Sequence, residues 1–352
     1  MQASGFVWGE SQDDLPNDIT LGGYASGVTS GELSYELNGL SASKTYWYKA
    51  YVQVWDSETN TAVPVYGNLR SFTTLPPQSG VANGWLELPA ITGSEDYVGK
   101  FYGSGGNTGK NRNYSYNYSY DHFGCLWVAY PLTLSHTKGN ASTSSWHLNP
   151  NVNDSYEIQS VTSGSYTANY NNSTYSKGHQ IPNADRKSDD TMNYQTYYVT
   201  NQTPQIQNGF NGSIWSTLEQ DIRSELNSTD TIYVVTGACY QTIGGNETVK
   251  QLTGANSSTY PQKLDIPNYY WKALLKVRRS GNTITDACAI GFWFEHKSYA
   301  NNNYLANGIK VSVNFIESKT GFDLFANLPG DDNSGIEMLA EANTDWGAFQ
   351  DF

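Results

Sequence analysis

Cysteine is scarce in this chain, and its spacing excludes more than its number does. Three occur in 352 residues, Cys125, Cys239 and Cys288, with no Cys-x-x-Cys. That argues against a structural zinc site. The odd count leaves at least one thiol unpaired within the chain. Cys239 and Cys288 lie in strand-like runs, "IYVVTGACY" and "DACAIGFWF", and would pair only if those strands were neighbours. Charge is scarce too. Only 15% of residues are Asp, Glu, Lys or Arg, and the net charge is −13. That balance argues against broad electrostatic attraction to nucleic acid, because phosphate is normally met by Lys and Arg. No apolar run approaches the roughly 18 residues of a membrane span. "MQASGFVWGE" has no basic start and no apolar stretch of a signal peptide. The expectation is a mature fragment behind an added Met1, with any export signal outside this chain.

What the chain has instead is ring and amide: 27 Tyr, 10 Trp and 33 Gly. With many Thr, Ser and Asn and few helix formers, this composition predicts a β-rich protein with polar surfaces. The length suggests two domains. Residues 1–76 read as short strands between turns, and "KTYWYKAYVQVWD" alternates as a half-buried strand should. The combination "LNGLSASKTYWYKAYV" with "YGNLRSFTT" resembles a fibronectin type III domain, in which Leu40 would anchor the turn before the tyrosine-rich strand. Residues 77–83 form a Pro/Gly/Ser linker. In residues 84–352, "CLWVAYPLTL", "DTIYVVTGACY", "YYWKALLKV" and "ACAIGFWFEH" read as strands, and "GIKVSVNFIESKTG" as a strand leading into a short helix. The Gly-rich "GSGGNTGKN" lacks the Lys-Ser/Thr of a phosphate-binding loop.

Two polar stretches stand out. "SKGHQIPNADR" places His179 after a glycine, and most isolated histidines are surface or satisfied core residues. In "TNQTPQIQNGFNGSIWSTLEQDIRSEL", Trp215, Leu218, Ile222 and Leu226 recur at helical spacing and predict a buried stripe. Glu219 and Arg223, four apart, share an adjoining flank. Taken alone, this is an amphipathic helix with a surface ion pair.

Taken together and in order, "KGHQIPNADR", "NQTPQ", Asn211, Trp215 and "LE" resemble the DNA/RNA non-specific endonucleases of the ββα-metal (His-Me finger) class. "TIYVVTGACY", "IPNYYWKALL" and "ESKTGFDLFANLP" extend the likeness over most of residues 84–330. "GWLELP" and the Tyr/Asn-rich strand are similar to secreted versions of Bacteroidetes-type bacteria. The resemblance implies an α+β fold: a ββα-metal nuclease with a central antiparallel sheet and flanking helices, behind the small β-sandwich. It implies a secreted, periplasmic or outer-surface location, DNA and RNA as substrates, and Mg²⁺ as cofactor with Mn²⁺ as the alternative.

It also assigns roles. His179 would be the general base, because a neutral imidazole takes a water's proton at physiological pH. Asn211 would be the metal ligand, since an amide oxygen suits a hard ion without repelling phosphate. Glu219 would orient water at the metal and Arg223 would hold a phosphate oxygen. Asn201, Gln205 and Ser176 would support the site, with Lys177, Arg186 and Lys187 lining a local basic cleft. The chain departs from the family at Ser176-Lys177-Gly178-His179, where Asp-Arg-Gly-His is usual, and in lacking an arginine before Trp146 in "ASTSSWH". Lysine supplies charge but not the planar grip of arginine. These departures open a competing reading: a surface protein with an impaired nuclease fold, whose aromatic faces bind glycan or nucleic acid. The first module would then serve cell-surface or glycan contact.

Overall fold

The computed structural model describes residues 2–24, 44–73, 85–106, 111–160, 174–242, 248–254, 258–259, 261–305, 308–329 and 335–352. The chain divides into two compact units, Met1–Ser79 and Gly80–Phe352. In the first, β1 (Gln2–Gly9), β2 (Asn17–Tyr24), β3 (Thr45–Asp56) and β4 (Thr61–Tyr66) run in the order β2-β1-β3-β4, and β5 (Arg70–Thr73) also pairs with β3. All neighbours are antiparallel. Tyr46 and Tyr51 are buried, and Tyr46 stacks on Phe72 at 5.8 Å. Leu40 and the 77–83 linker lie outside the described residues, as does the stretch 25–43 that a second sheet of a sandwich would draw on.

The strands of the second unit are β6 (Tyr97–Tyr102), β7 (Arg112–Ser119), β8 (Gly124–Thr133), β9 (Tyr175–His179), β10 (Gln202–Ile206), β11 (Thr231–Cys239), β12 (Lys250–Leu252), β13 (Leu264–Ile266), β14 (Tyr269–Ser280), β15 (Thr283–Glu295) and β16 (Lys310–Val311). Its helices are α1 (Asp190–Gln195), α2 (Ser216–Ser224), α3 (Val313–Thr320), α4 (Ile336–Glu341) and α5 (Trp346–Gln350). Seven strands form the central sheet, β16-β15-β14-β11-β8-β7-β6. The four apolar runs seen in the sequence are its middle, β15-β14-β11-β8. A strand covered on both faces needs apolar residues at nearly every position. Here the alternate residues go to different layers. Tyr130, Val234, Leu274 and Phe292 join Trp215, Leu218 and Ile222 on one side. Trp127, Val235, Trp271 and Leu275 join Val313 and Ile316 of α3 on the other. Ser312 caps α3 by accepting from the Phe315 N–H at 3.1 Å. Cys125, Cys239 and Cys288 are all buried free thiols. β14 separates β11 from β15, so Cys239 and Cys288 do not pair.

β9 and β10 form a separate antiparallel pair, with Gln202 opposite His179 and Gln205 opposite Ser176. β10 runs through an irregular wide turn, Gln207–Trp215, into α2. This is a ββα unit. Two strands alone are marginal in water, and buried polar bonds clamp this pair. The fully buried Asn201 side chain accepts from the Ile181 N–H and donates to Ile181 O, each at 3.0 Å, and to Thr196 O at 2.7 Å. Tyr270 on β14 donates to Pro204 O at 2.7 Å. The Ile206 N–H donates to His296 Nε2 at 2.8 Å.

Arg186 does not line a phosphate cleft. It is fully buried, donating to Asn113 Oδ1 at 2.6 Å, Asn113 O at 2.7 Å, Asp185 O at 2.7 Å and Pro131 O at 3.0 Å. A guanidinium needs several acceptors to leave water; Asn113 of β7 and Pro131 of β8 supply three of them and the adjoining Asp185 the fourth. Lys187 is also engaged inward, with Ala141 O at 3.0 Å. Arg186→Met is therefore expected to lower the unfolding free energy by about 3–5 kcal/mol, as when a buried charged group's bonding is broken. Urea unfolding would measure it; a change below about 0.5 kcal/mol would mean that Arg186 is not a clamp.

Candidate active site

Strand alternation puts Tyr175, Lys177 and His179 on one face of β9 and Ser176 and Gly178 on the other. The burial has the same period: the first three are half-buried and the last two buried. His179 ends the strand with its ring against Trp146 at 4.5 Å and edge-on to Tyr197 at 4.6 Å. Burial holds its pKa down at about 4, so the ring is neutral above that pH. Among the described residues, its buried Nε2 has no hydrogen-bond partner. Lys177 Nζ donates to Ser160 O, and burial lowers its pKa. Trp146 packs directly on His179, so the stretch "ASTSSWH" lies beside the candidate base.

On the other face, Gly178 leaves room for the buried Gln205. A Cβ at Gly178 would run into the Gln205 side chain. Gln205 Oε1 accepts from Asn211 Nδ2 at 2.8 Å. That bond engages the nitrogen of the Asn211 amide and not its Oδ1. Asn211 sits in the irregular turn, interrupted at Asn208, Gly209 and Ser213, and not on α2 itself. Ser176 Oγ donates to Gln207 Oε1 in the same turn. A single amide oxygen fits Mg²⁺, which keeps most of its waters. Among the described residues, no group of three or more His, Cys, Asp or Glu could hold a metal ion.

Glu219 and Arg223 do not form the expected surface ion pair. Arg223 Nη1 meets Asp185 Oδ1 at 2.9 Å, and Asp185 Oδ2 accepts from Tyr130 at 3.0 Å. Glu219 Oε1 lies 3.9 Å from Nζ of Lys272. Lys272 shares its strand face with Tyr270 and Leu274, so the period of β14 aims it at α2. It is fully buried, 3.1 Å from Thr236 Oγ1 and 4.2 Å from the Trp215 ring centre. Burial raises the Glu219 pKa, and Lys272 and Arg223 oppose the rise. Burial lowers that of Lys272. Sequence reasoning missed Lys272 and Asp185. Their signals were a lysine inside the apolar run "YYWKALL" and an acid adjoining Arg186.

A family model described as DNA/RNA non-specific endonuclease matches residues 92–331. The chain belongs to that family. Among relatives of the endonuclease, the nuclease of Nostoc is 26% identical over 226 residues, covering 60% of this chain and 76% of its own. That of Serratia marcescens is 26% identical over 220 residues, covering 60% and 72%. The mitochondrial nuclease 1 of Schizosaccharomyces pombe is 26% identical over 201 residues, and the match spans only 58% of its length. A crystal structure of the EndoG/EndoGI complex shares the fold, with a TM-score of 0.50 and 19% identity over 61% of this chain and 84% of its own.

Lys272→Met keeps volume but removes the cation that favours ionised Glu219. If the endonuclease needs that carboxylate ionised, the acidic limb of its pH–rate profile should move to higher pH. Well down that limb, activity should fall about tenfold for a rise of one pKa unit. Steady-state rates across pH would check this; an unmoved limb would dissociate Lys272 from Glu219.

Proposed function

We propose that this family member is a metal-dependent endonuclease that hydrolyses phosphodiester bonds of DNA and RNA without selecting the sugar. The observation that carries the reading is the Asn211–Gln205 hydrogen bond. It lies across Gly178, one residue from His179, and engages the amide nitrogen of Asn211 at the junction of strand and helix. The residues fit a divalent cation held by Asn211 Oδ1, and when bound it would neutralise charge on the scissile phosphate and its leaving oxygen.

The chain's own groups do the rest. His179, neutral and sealed at Nε2, has Nδ1 as the nitrogen left to face a water. That water's oxygen bonds to phosphorus, its proton passes to Nδ1, and the bond from phosphorus to the leaving oxygen breaks. Trp146 and Tyr197 fix the plane of the imidazole. Lys177, on the same face two residues earlier, brings positive charge toward the phosphate. Arg223 is held by Asp185, and Glu219, on the same helix, would orient polar groups near a cation held by Asn211. His179 and Gln205 lie on opposite faces of the β9–β10 pair, so a phosphate reached by both His179 and Asn211 must sit at its edge.

His179→Ala should cut turnover by roughly 10²- to 10⁴-fold, the usual worth of a general base. Cleavage of plasmid and of RNA, each with Mg²⁺ and with a chelator, would be compared between parent and variant. Equal rates would remove His179 from the mechanism, and parent rates at background would favour a binding protein. Lys177→Ala should cost about 10- to 100-fold, the range for a hydrogen bond to a charged group, with Lys177→Arg restoring the rate. Steady-state cleavage of a defined duplex would test it; three equal rates would exclude Lys177.

A further inference from the structure

We propose that the pocket at the start of β9, at the opposite end of the strand from His179, is a subsite for an unpaired nucleobase, so that the enzyme prefers single-stranded nucleic acid. The inference rests on the nuclease reading and names its substrate class.

The pocket has a volume of about 360 Å³ and is lined by Tyr175, Ile206, Tyr269 and His296, with Lys250 and Glu295 also contributing. That volume lies within the range of small-ligand sites. One strand face relates it to the candidate active site: Tyr175 in its wall and His179 lie on the same side of β9. Tyr175, Lys177 and His179 are the half-buried residues of β9, and all three point the same way. Four residues of strand at about 3.3 Å each separate Tyr175 from His179 by roughly 13 Å. A nucleic acid strand advances about 3.4 Å per phosphate in B-form and further when stretched. The pocket therefore lies no more than about four nucleotides from the bond to be cut.

The walls are set in advance. His296 accepts from the Ile206 N–H at 2.8 Å through Nε2, and its Nδ1 lies 2.8 Å from Pro267 O. Its ring packs on Phe210 at 5.1 Å and Tyr270 at 4.9 Å, and Tyr175 lies 6.1 Å from it. Tyr269 already packs on Trp293 at 5.2 Å, so Tyr175 is the ring set to take a base, and every base has a face to stack. The lining includes one Lys and one Glu, with Glu295 exposed and paired to Lys297. A carboxylate there disfavours phosphate inside the pocket and leaves the uncharged base as its occupant, with Lys250 available to a flanking phosphate.

Charge elsewhere argues the same way. A protein that grips duplex through its backbone neutralises several phosphates with Lys and Arg. Here Arg186 is sealed in the core, Lys187 bonds Ala141 O, Arg223 bonds Asp185, and the chain carries −13. Stacking supplies affinity without cations. It requires a base out of its duplex, because a paired base has both faces covered.

The test uses the full chain, with Tyr175→Ala and Tyr175→Phe. The probes are a labelled oligodeoxythymidylate of about twelve nucleotides, its duplex with oligodeoxyadenylate, and a dinucleotide too short to reach the pocket. Binding is read by fluorescence anisotropy in chelator, and cleavage as kcat and KM with Mg²⁺. The parent should favour the single strand at least tenfold in both readouts. Tyr175→Ala should weaken single-strand binding and raise KM by about 5- to 150-fold, the value of one base stack. Tyr175→Phe should restore both, and dinucleotide cleavage should not change. Equal parent affinity for single strand and duplex, or an alanine effect that extends to the dinucleotide, would overturn the subsite. A parent that binds the single strand through Tyr175 but cleaves nothing would overturn the nuclease reading and leave the subsite standing.

Discussion

A two-stranded β-hairpin is barely stable in water, yet β9 and β10 carry most of the candidate chemistry. Everything else about the site rests on how that pair is held. The hold is polar and buried. Asn201 brackets the backbone just after His179. Gln180 Nε2 donates to Thr203 at 3.0 Å, tying the two strands beside the base. Tyr270 and His296 fix β10 to the central sheet. Arg186 locks the segment after β9 to the carbonyls of β7 and β8. Buried groups of this kind are costly when unpaired and rigid when satisfied. Geometry good to a fraction of an ångström, which general-base chemistry needs, can therefore rest on five residues of strand.

The second constraint is charge. An acidic chain proposed to act on a polyanion has to use its few cations sparingly. Several are structural. Arg186 serves the fold, and Lys276 donates to Phe349 O at 3.0 Å near the end of α5. Lys272 sits under α2, where it favours an ionised Glu219 in a buried setting. Beside the candidate base the contacts are aromatic: Trp146 lies against His179, and His147 stacks on Tyr194 of α1 at 4.2 Å.

Much of this was legible in the residues. The helical recurrence of Trp215, Leu218, Ile222 and Leu226 is a buried stripe, all at 8% exposure or less. Four nearly continuous apolar runs are the middle of the sheet, because strands covered on both faces leave few polar positions, Thr236 and Lys272 among them. The ordered motif from Lys177 to Glu219 identified the family before any distance was known. Arg186 was misread, because sequence spacing cannot tell whether an arginine beside a phosphate-binding motif faces the cleft or the core. Three carbonyls and an amide of distant or adjoining segments decided it.

Periodicity and motif order are local properties. Strand and helix identity, the family, and the candidates His179, Asn211 and Glu219 were therefore already present in the order of the residues. Partnership is not local. It took the folded chain to pair Glu219 with Lys272 and Arg223 with Asp185, and to let Gln205 orient Asn211 across Gly178. Folding alone set Tyr175 in the wall of a pocket. Each of these depends on two segments being brought within a few ångströms by a sheet whose pairing no single stretch of sequence contains.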